Sequence, residues 1–161
     1  MQIYISYFYS VRFFKPNMVP FSTAMWDPKW YHAGQNQSYV FVDKRGVING
    51  MRADPLVPDK HCEGLCRGPE ACANGAHPES CQFLKAYMQQ LEAIPIHSFV
   101  SNLEHNALFV MQRAGIEGDP VAVILVHEAP TNPCSERGPL IKWFRDAGYD
   151  VGELDFHHIG E

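Results

Sequence analysis

Long apolar runs, a surplus of basic residues and closely paired cysteines are all missing from this chain of 161 residues. No segment reaches the roughly 18 consecutive apolar residues that a membrane-spanning helix requires, so no membrane partner is expected. Lys and Arg number 13 against 18 Asp and Glu, a net charge of -5. A protein that grips nucleic acid regardless of sequence carries a basic face. The charge balance therefore does not indicate a nucleic-acid partner, although a total does not reveal a local patch. The aromatic start MQIYISYFYSVRFF lacks the basic beginning and small-residue cleavage site of a secretory leader, and is expected to form a first strand instead. These absences point to a cytoplasmic protein. In a reducing compartment, five cysteines favour metal ligation or thiol chemistry over disulfides.

What is present suits one domain over residues 1–161, with 46% hydrophobic residues and ten Phe to build a core. Residues 2–8 carry Ile3, Ile5, Tyr7 and Phe8 and are expected as a buried strand. MVPFSTAM (18–25) is a second strand, with Pro20 limiting it to a strand start or an edge. DPKWYHAGQNQ (27–37) reads as turn and loop, with one helical turn after Pro28. SYVFVDKRGVINGM reads as a short strand and a turn at Gly46. The segments PESCQFLKAYMQQLEAI and SFVSNLEHNALFVMQRAG show helical spacing, the first ended by Pro95 and the second by Gly115. VAVILV (121–126) is almost purely β-branched and apolar on both faces, as a covered parallel sheet requires. A helix over about Pro139 to Ala147 and a last strand in YDVGELDFHHI complete a β-loop-α-β pattern. The expected fold is α/β: a central, mostly parallel sheet flanked by helices, with a cysteine-rich loop inserted.

That loop, residues 55–81, lies in a stretch rich in Pro and Gly where no hydrophobic period survives. A segment so long without regular structure is functional, disordered or held by something. Cys62, Cys66, Cys72 and Cys81 offer the means, with His61 and His77 as substitutes for one of them. Thiolates are soft ligands and suit zinc or an iron–sulfur cluster. The spacing matches neither a zinc ribbon of paired C-x-x-C nor a ferredoxin run. Zinc in a closed four-ligand site would staple the loop, with Cys81 tying it to a helix. An iron–sulfur cluster is the alternative. The plain reading, four small hydrophobes, also stands.

The second concentration of chemistry follows VAVILV. In open α/β sheets ligands sit outside the carboxyl ends of the strands, where His127 and Glu128 are expected. Pro130 and Pro133 stiffen the loop. Cys134, Ser135, Glu136 and Arg137 come just before the next helix, whose free N–H groups favour an anion. Pro139 suits a first helical position. Cys134 close to Arg137 can have a lowered pKa and act as nucleophile. Ser135 and Glu136 would equally serve as helix caps.

The segment VHEAPTNPCSERGPLIKWF resembles the C-terminal motif of the domain of unknown function (DUF) 488 family: a strand, a glutamate, a Pro-containing loop, a cysteine followed by polar and arginine residues, and a helix with an aromatic. IYISYF and VPFSTAMWDPKWY are similar to the N-terminal region of phage and bacterial members. The resemblance implies an α/β fold with a polar site, and carries over Glu128, Cys134 and Arg137. Many members have His and Arg directly after the cysteine, where this chain has Ser135 and Glu136. The resemblance implies no particular reaction.

Trp26, Trp30 and Tyr31, near Asp27, Lys29 and His32, are either a ring-stacking platform or a partly buried aromatic cluster. His157 and His158 are expected to be solvated or capping. Two functions of different kinds follow. One is an enzyme acting on an anionic small molecule, a nucleotide or a nucleic-acid end. Arg137 and Ser135 would bind its ligand, Cys134 would be nucleophile or ligand, and Glu128 or His127 would be general base. The other is a non-catalytic, metal-stapled module that recognises a phosphate group, nucleic acid or a protein partner.

Overall fold

The computed structural model describes residues 1–32, 41–65, 81–126 and 135–156. Seven strands and four α-helices are assigned among them: β1 (Gln2–Tyr7), β2 (Met18–Ser22), β3 (Phe41–Val42), β4 (Ile48–Asn49), β5 (Met51–Arg52), α1 (Lys60–Leu65), α2 (Gln82–Glu92), α3 (Ile96–Arg113), β6 (Val121–Val126), α4 (Arg137–Asp146) and β7 (Val151–Glu153). Short 3-10 helices cover Phe8–Phe13 and Asp54–Leu56. Five strands form one parallel sheet in the order β5-β2-β6-β1-β7, and β3 and β4 make a separate antiparallel hairpin. The expected α/β class with a parallel sheet is what the chain adopts. Residues 66–80, most of the expected cysteine-rich loop, lie outside the described residues.

β6 is the centre. It pairs with β1 from Gln2↔Val121 to Tyr7↔Val126 and with β2 from Met18↔Val121 to Ser22↔Leu125. The β-branched run is buried on both faces, and each face has its own core. Ile3, Ile5, Val19, Phe21, Ala122, Ile124 and Val126 pack beneath α2, α3 and α4. Val123 and Leu125 face a smaller cluster with Phe8, Val11, Phe14, Ala24, Tyr31 and Val47. Hence the β6–α4–β7 connection runs over the first face. The β1–β2 connection, with its 3-10 helix, runs over the second.

Pro20 stands mid-strand, not at the start of β2 or on a sheet edge. The register explains why it is tolerated. β5 pairs with β2 only at Phe21↔Met51 and Ser22↔Arg52, so Pro20 has a strand neighbour on one side alone. Within a strand, the N and C=O of one residue point to the same side. The Pro20 carbonyl lies 3.2 Å from the Tyr31 hydroxyl, which donates chiefly to the Met51 carbonyl at 2.5 Å. The missing N–H thus faces the side where β5 has not yet begun.

The stretch after residue 52 is less irregular than its composition suggests. Leu56 is fully buried, and Asp59 Oδ1 accepts the Cys62 N–H at 2.9 Å at the start of α1. Gln90 on α2 clamps this segment. Its amide donates to the carbonyls of Val57 (2.7 Å) and Pro55 (3.2 Å), while its oxygen accepts the Asp59 N–H (3.0 Å). Tyr87, one turn earlier, donates to the Leu56 carbonyl at 2.6 Å. Such short pieces carry too few residues to display a hydrophobic period.

α3 ends as expected at Gly115, with φ of 72°. The N–H of Gly115 bonds Gln112 O and that of Ile116 bonds Met111 O, a Schellman closure. Gly148, at φ of 91°, closes α4 in the same way through the Tyr149 N–H to Phe144 O. α4 itself starts at Arg137, two residues before the expected Pro139. Pro139 is therefore its third residue. The first N–H groups of a helix have no intrahelical partner, so proline costs little there.

Tyr87→Phe is expected to leave the buried Leu56 carbonyl without its donor and to destabilise the fold by about 1–3 kcal/mol. A lowered urea midpoint with an unchanged slope would show it.

Candidate functional site

Because the sheet is wholly parallel, Tyr7, Ser22, Arg52, Val126 and Glu153 all end strands at one edge. β1 and β6 are neighbours whose connections leave on opposite faces. A crevice opens between such strands at their carboxyl ends. A cleft of about 110 Å³ lies there, lined by Ile5, Ser6, Tyr7, Val126, Arg137, Glu153, Leu154 and Asp155.

The walls are polar and tied together. Arg137 Nε donates to Glu153 Oε1 at 2.6 Å; the guanidinium side chain is 18% exposed and the carboxylate 46%. Tyr7 OH donates to Asp155 Oδ1 at 2.9 Å. The Tyr7 pKa is pushed up to about 12, first by burial, then by the hydrogen bond to Asp155 and the charge of that carboxylate. Below these groups Ser6 Oγ donates to the Leu154 carbonyl at 2.7 Å and lies 2.8 Å from Ser10 Oγ, which donates to the Tyr7 carbonyl at 2.6 Å. This seryl pair fixes the chain after β7 against the end of β1.

A second polar group stands at the ends of β2 and β5. Arg52 donates to Asp27 at 2.6 Å, to Asp54 at 2.9 Å and to the Ala24 carbonyl at 2.9 Å. Burial works against its charge, but the hydrogen bonds to Asp54 and Asp27 outweigh that and hold the guanidinium above its ordinary pKa. Ser22 Oγ donates to the other Asp27 oxygen, and the Ala24 N–H returns a bond to Ser22 Oγ. Thr23 bonds the Leu125 carbonyl through both its N–H (3.0 Å) and its hydroxyl (2.9 Å). The segment after β2 is thereby anchored to the end of β6.

Of the residues expected from the sequence, Arg137 lies in the cleft wall. Ser135 is buried, and its Oγ accepts the Arg137 N–H at 3.2 Å, so its hydroxyl serves the start of α4. The Glu136 carboxylate acts on Tyr87, whose pKa is raised well above its ordinary value by burial first and by that charge second. His127, Glu128 and Cys134 lie outside the described residues, as do Cys66, Cys72, His77, His157 and His158. Cys62 is 1% exposed in the larger core, and its thiol donates to Gln90 Oε1 at 3.6 Å. Burial, followed by the hydrogen bond to Asp59 and its charge, pushes that thiol up to about 11. Cys81, half-buried ahead of α2, packs on the same cluster. Among the described residues no three His, Cys, Asp or Glu side chains come together as metal ligands, and no helix is long and apolar enough to cross a membrane.

The aromatic group divides. Tyr31 is buried and meets Phe8 edge-on at 5.3 Å, and Trp30 touches both rings at 6.1–6.3 Å. Trp26 is 80% exposed and has no ring contact among the described residues.

Sequence reasoning missed Tyr7, Glu153 and Asp155. Each lies at or just past the carboxyl end of an expected strand. The signal existed, but it becomes readable only once β1 and β7 are known to be neighbours. Compared with family models, curated proteins and solved structures, the chain matches none of them. The DUF 488 resemblance is therefore carried by the quoted residues alone.

A raised folded-state pKa means that Tyr7 stabilises the fold fully below pH 10 and loses that contribution as pH climbs towards about 12. Tyr31 and Tyr87, also raised, act in the same sense. Tyr7→Phe is expected to show a shallower fall in melting temperature across this alkaline window than the parent protein. An identical slope would remove Tyr7 from the account.

Proposed function

We propose that this protein is an enzyme acting on an anionic small molecule or nucleotide in the crevice outside β1, β6 and β7. The observation that carries the reading is the placement of Arg137: at the first turn of α4, in the wall of a cleft at the switch point of a parallel sheet. In this reading its guanidinium and the N-terminus of α4 hold the anion. The DUF 488-like motif of residues 126–144 brings the reactive groups: Cys134 as nucleophile or ligand, with Glu128 or His127 as general base. Glu153, 2.6 Å from the Arg137 guanidinium, is the anion's competitor and has to give way before an anion can take its place.

Phosphate binding, followed by calorimetry, is expected to weaken about tenfold or more in Arg137→Ala, since a charged hydrogen bond is worth about 1.5–3 kcal/mol. Glu153→Gln is expected to bind phosphate more tightly, because the competing charge is gone. Unchanged affinity in both variants would overturn the site. Cys134→Ser separates an enzyme from a module that only binds: it abolishes turnover and leaves phosphate affinity intact if the reading is right.

The four cysteines belong to the same proposal. Cys62, Cys66, Cys72 and Cys81 would hold one zinc ion that staples residues 55–81 to α2, in a reduced, cytoplasmic setting. The reading rests on four cysteines spaced through a Pro- and Gly-rich stretch. Burial holds the Cys62 thiol protonated, so the ion must displace its proton. Elemental analysis of freshly purified protein is expected to give one zinc per chain, and chelation to lower the melting temperature. Brown colour with broad visible absorption would replace zinc by an iron–sulfur cluster. Metal-free protein of full stability would remove the staple.

A further inference from the structure

We propose that the molecule held in this crevice carries an ammonium group beside its anion: a small amino acid or aminoalkyl phosphate. The proposal rests on the anion site argued above and adds the substrate's chemical class. It comes from the charges in the cleft wall. Among the described residues that line the cleft, Arg137 is the cation and Glu153 and Asp155 are two carboxylates. A simple anion that takes the guanidinium parts it from Glu153, now 2.6 Å away, and comes to lie beside two negative groups. Like charges brought together at a binding surface oppose association. A ligand that brings its own cation reverses the sign of that contact. Its anion takes Arg137, its ammonium takes the carboxylate that Arg137 releases, and one ion pair becomes two.

The shape of the cleft favours the same occupant. Glu153 ends β7 and Asp155 follows it, so the chain leaving that strand brings both carboxylates to one wall. Tyr7 holds Asp155 there, its hydroxyl donating to Oδ1 at 2.9 Å, and Ser6 Oγ holds the backbone between them at the Leu154 carbonyl, 2.7 Å away. Burial first, then the hydrogen bond to Asp155, pushes the Tyr7 pKa up to about 12. At neutral pH that hydroxyl is therefore a donor and adds no further negative charge. An ammonium group has three donors, and two carboxylates in one wall give it more than one acceptor. Ile5, Val126 and Leu154 supply apolar surface for the carbon atoms between the two charges. The volume of about 110 Å³ is well below the roughly 300–1,000 Å³ of sites for drug-sized ligands, which selects a short molecule.

Two pairs of probes test it, each differing only in an ammonium against a methyl group: phosphoethanolamine with propyl phosphate, and β-alanine with butyrate. They and inorganic phosphate would be titrated by calorimetry at neutral pH into the intact protein and into Glu153→Gln, Asp155→Asn and Arg137→Ala. The ammonium member of at least one pair is expected to bind about tenfold tighter than its methyl partner. A preference in the first pair assigns a phosphate ester as the natural anion, and in the second a carboxylate. Glu153→Gln is expected to remove most of the preference while phosphate alone binds more tightly, so one substitution moves the two ligands in opposite directions. Asp155→Asn is expected to reduce the preference further. Equal binding within both pairs, or a preference that survives Glu153→Gln and Asp155→Asn, would overturn the ammonium subsite while phosphate binding that depends on Arg137 upheld the anion site. No binding of any of the five probes would overturn both.

Discussion

Everything in this molecule hangs on a strand that has no side to show to water. The backbone of β6 is paired on both edges and its side chains are buried on both faces. Ala122, Ile124 and Val126 serve the helical core, while Val123 and Leu125 serve the smaller one. Burying each larger aliphatic side chain is worth about 1.5–3 kcal/mol, so this run of six residues holds the two cores together as well as filling them. It also decides where chemistry can happen. A strand that cannot carry polar groups along its length delivers them only where it stops. With its neighbour β1 turning away on the opposite face, that end opens into a crevice.

The two arginines at that edge show how different the same charge can be. Arg52 has a carboxylate on either hand and a backbone carbonyl as well, with its own side chain largely covered. It is a structural tie, and removing it would release the segment after β2. Arg137 has a carboxylate partner that is nearly half exposed and that ends an edge strand. What differs is where each stands: Arg52 ties the segment after β2, while Arg137 lies in the wall of the cleft.

Sequence patterning made much of the frame legible. The β-branched run at 121–126, the helical spacing of α2 and α3, and the glycine that closes α3 all express strong local preferences that the packing agrees with. By a sound rule Pro20 marks a strand start or an edge; here it sits mid-strand, because β5 begins one residue too late to need the missing N–H. Pro139 suits a first helical position, but the third position tolerates it as well. β5 and α1 escaped notice because two and six residues show no period. The candidate site was legible in proportion to how local it is. Arg137 follows from a strand-to-helix crossing within one stretch of sequence. Tyr7, Glu153 and Asp155 reach the same cleft only through the pairing of β1 with β7, which no local pattern encodes.

The strand order has a further consequence, for how the chain reaches its fold. β1 has only β6 and β7 as neighbours, and β2 pairs mainly with β6. The first twenty or so residues therefore find no lasting partner until a strand about 100 residues later has been made. In folding, this aromatic strand-forming segment depends on a distant partner, whereas α2 and α3 form from local contacts. Closing so distant a contact is slow, because the entropy of the intervening chain is lost before pairing returns anything. Until β6 is available, both backbone edges of this aromatic segment stay unpaired.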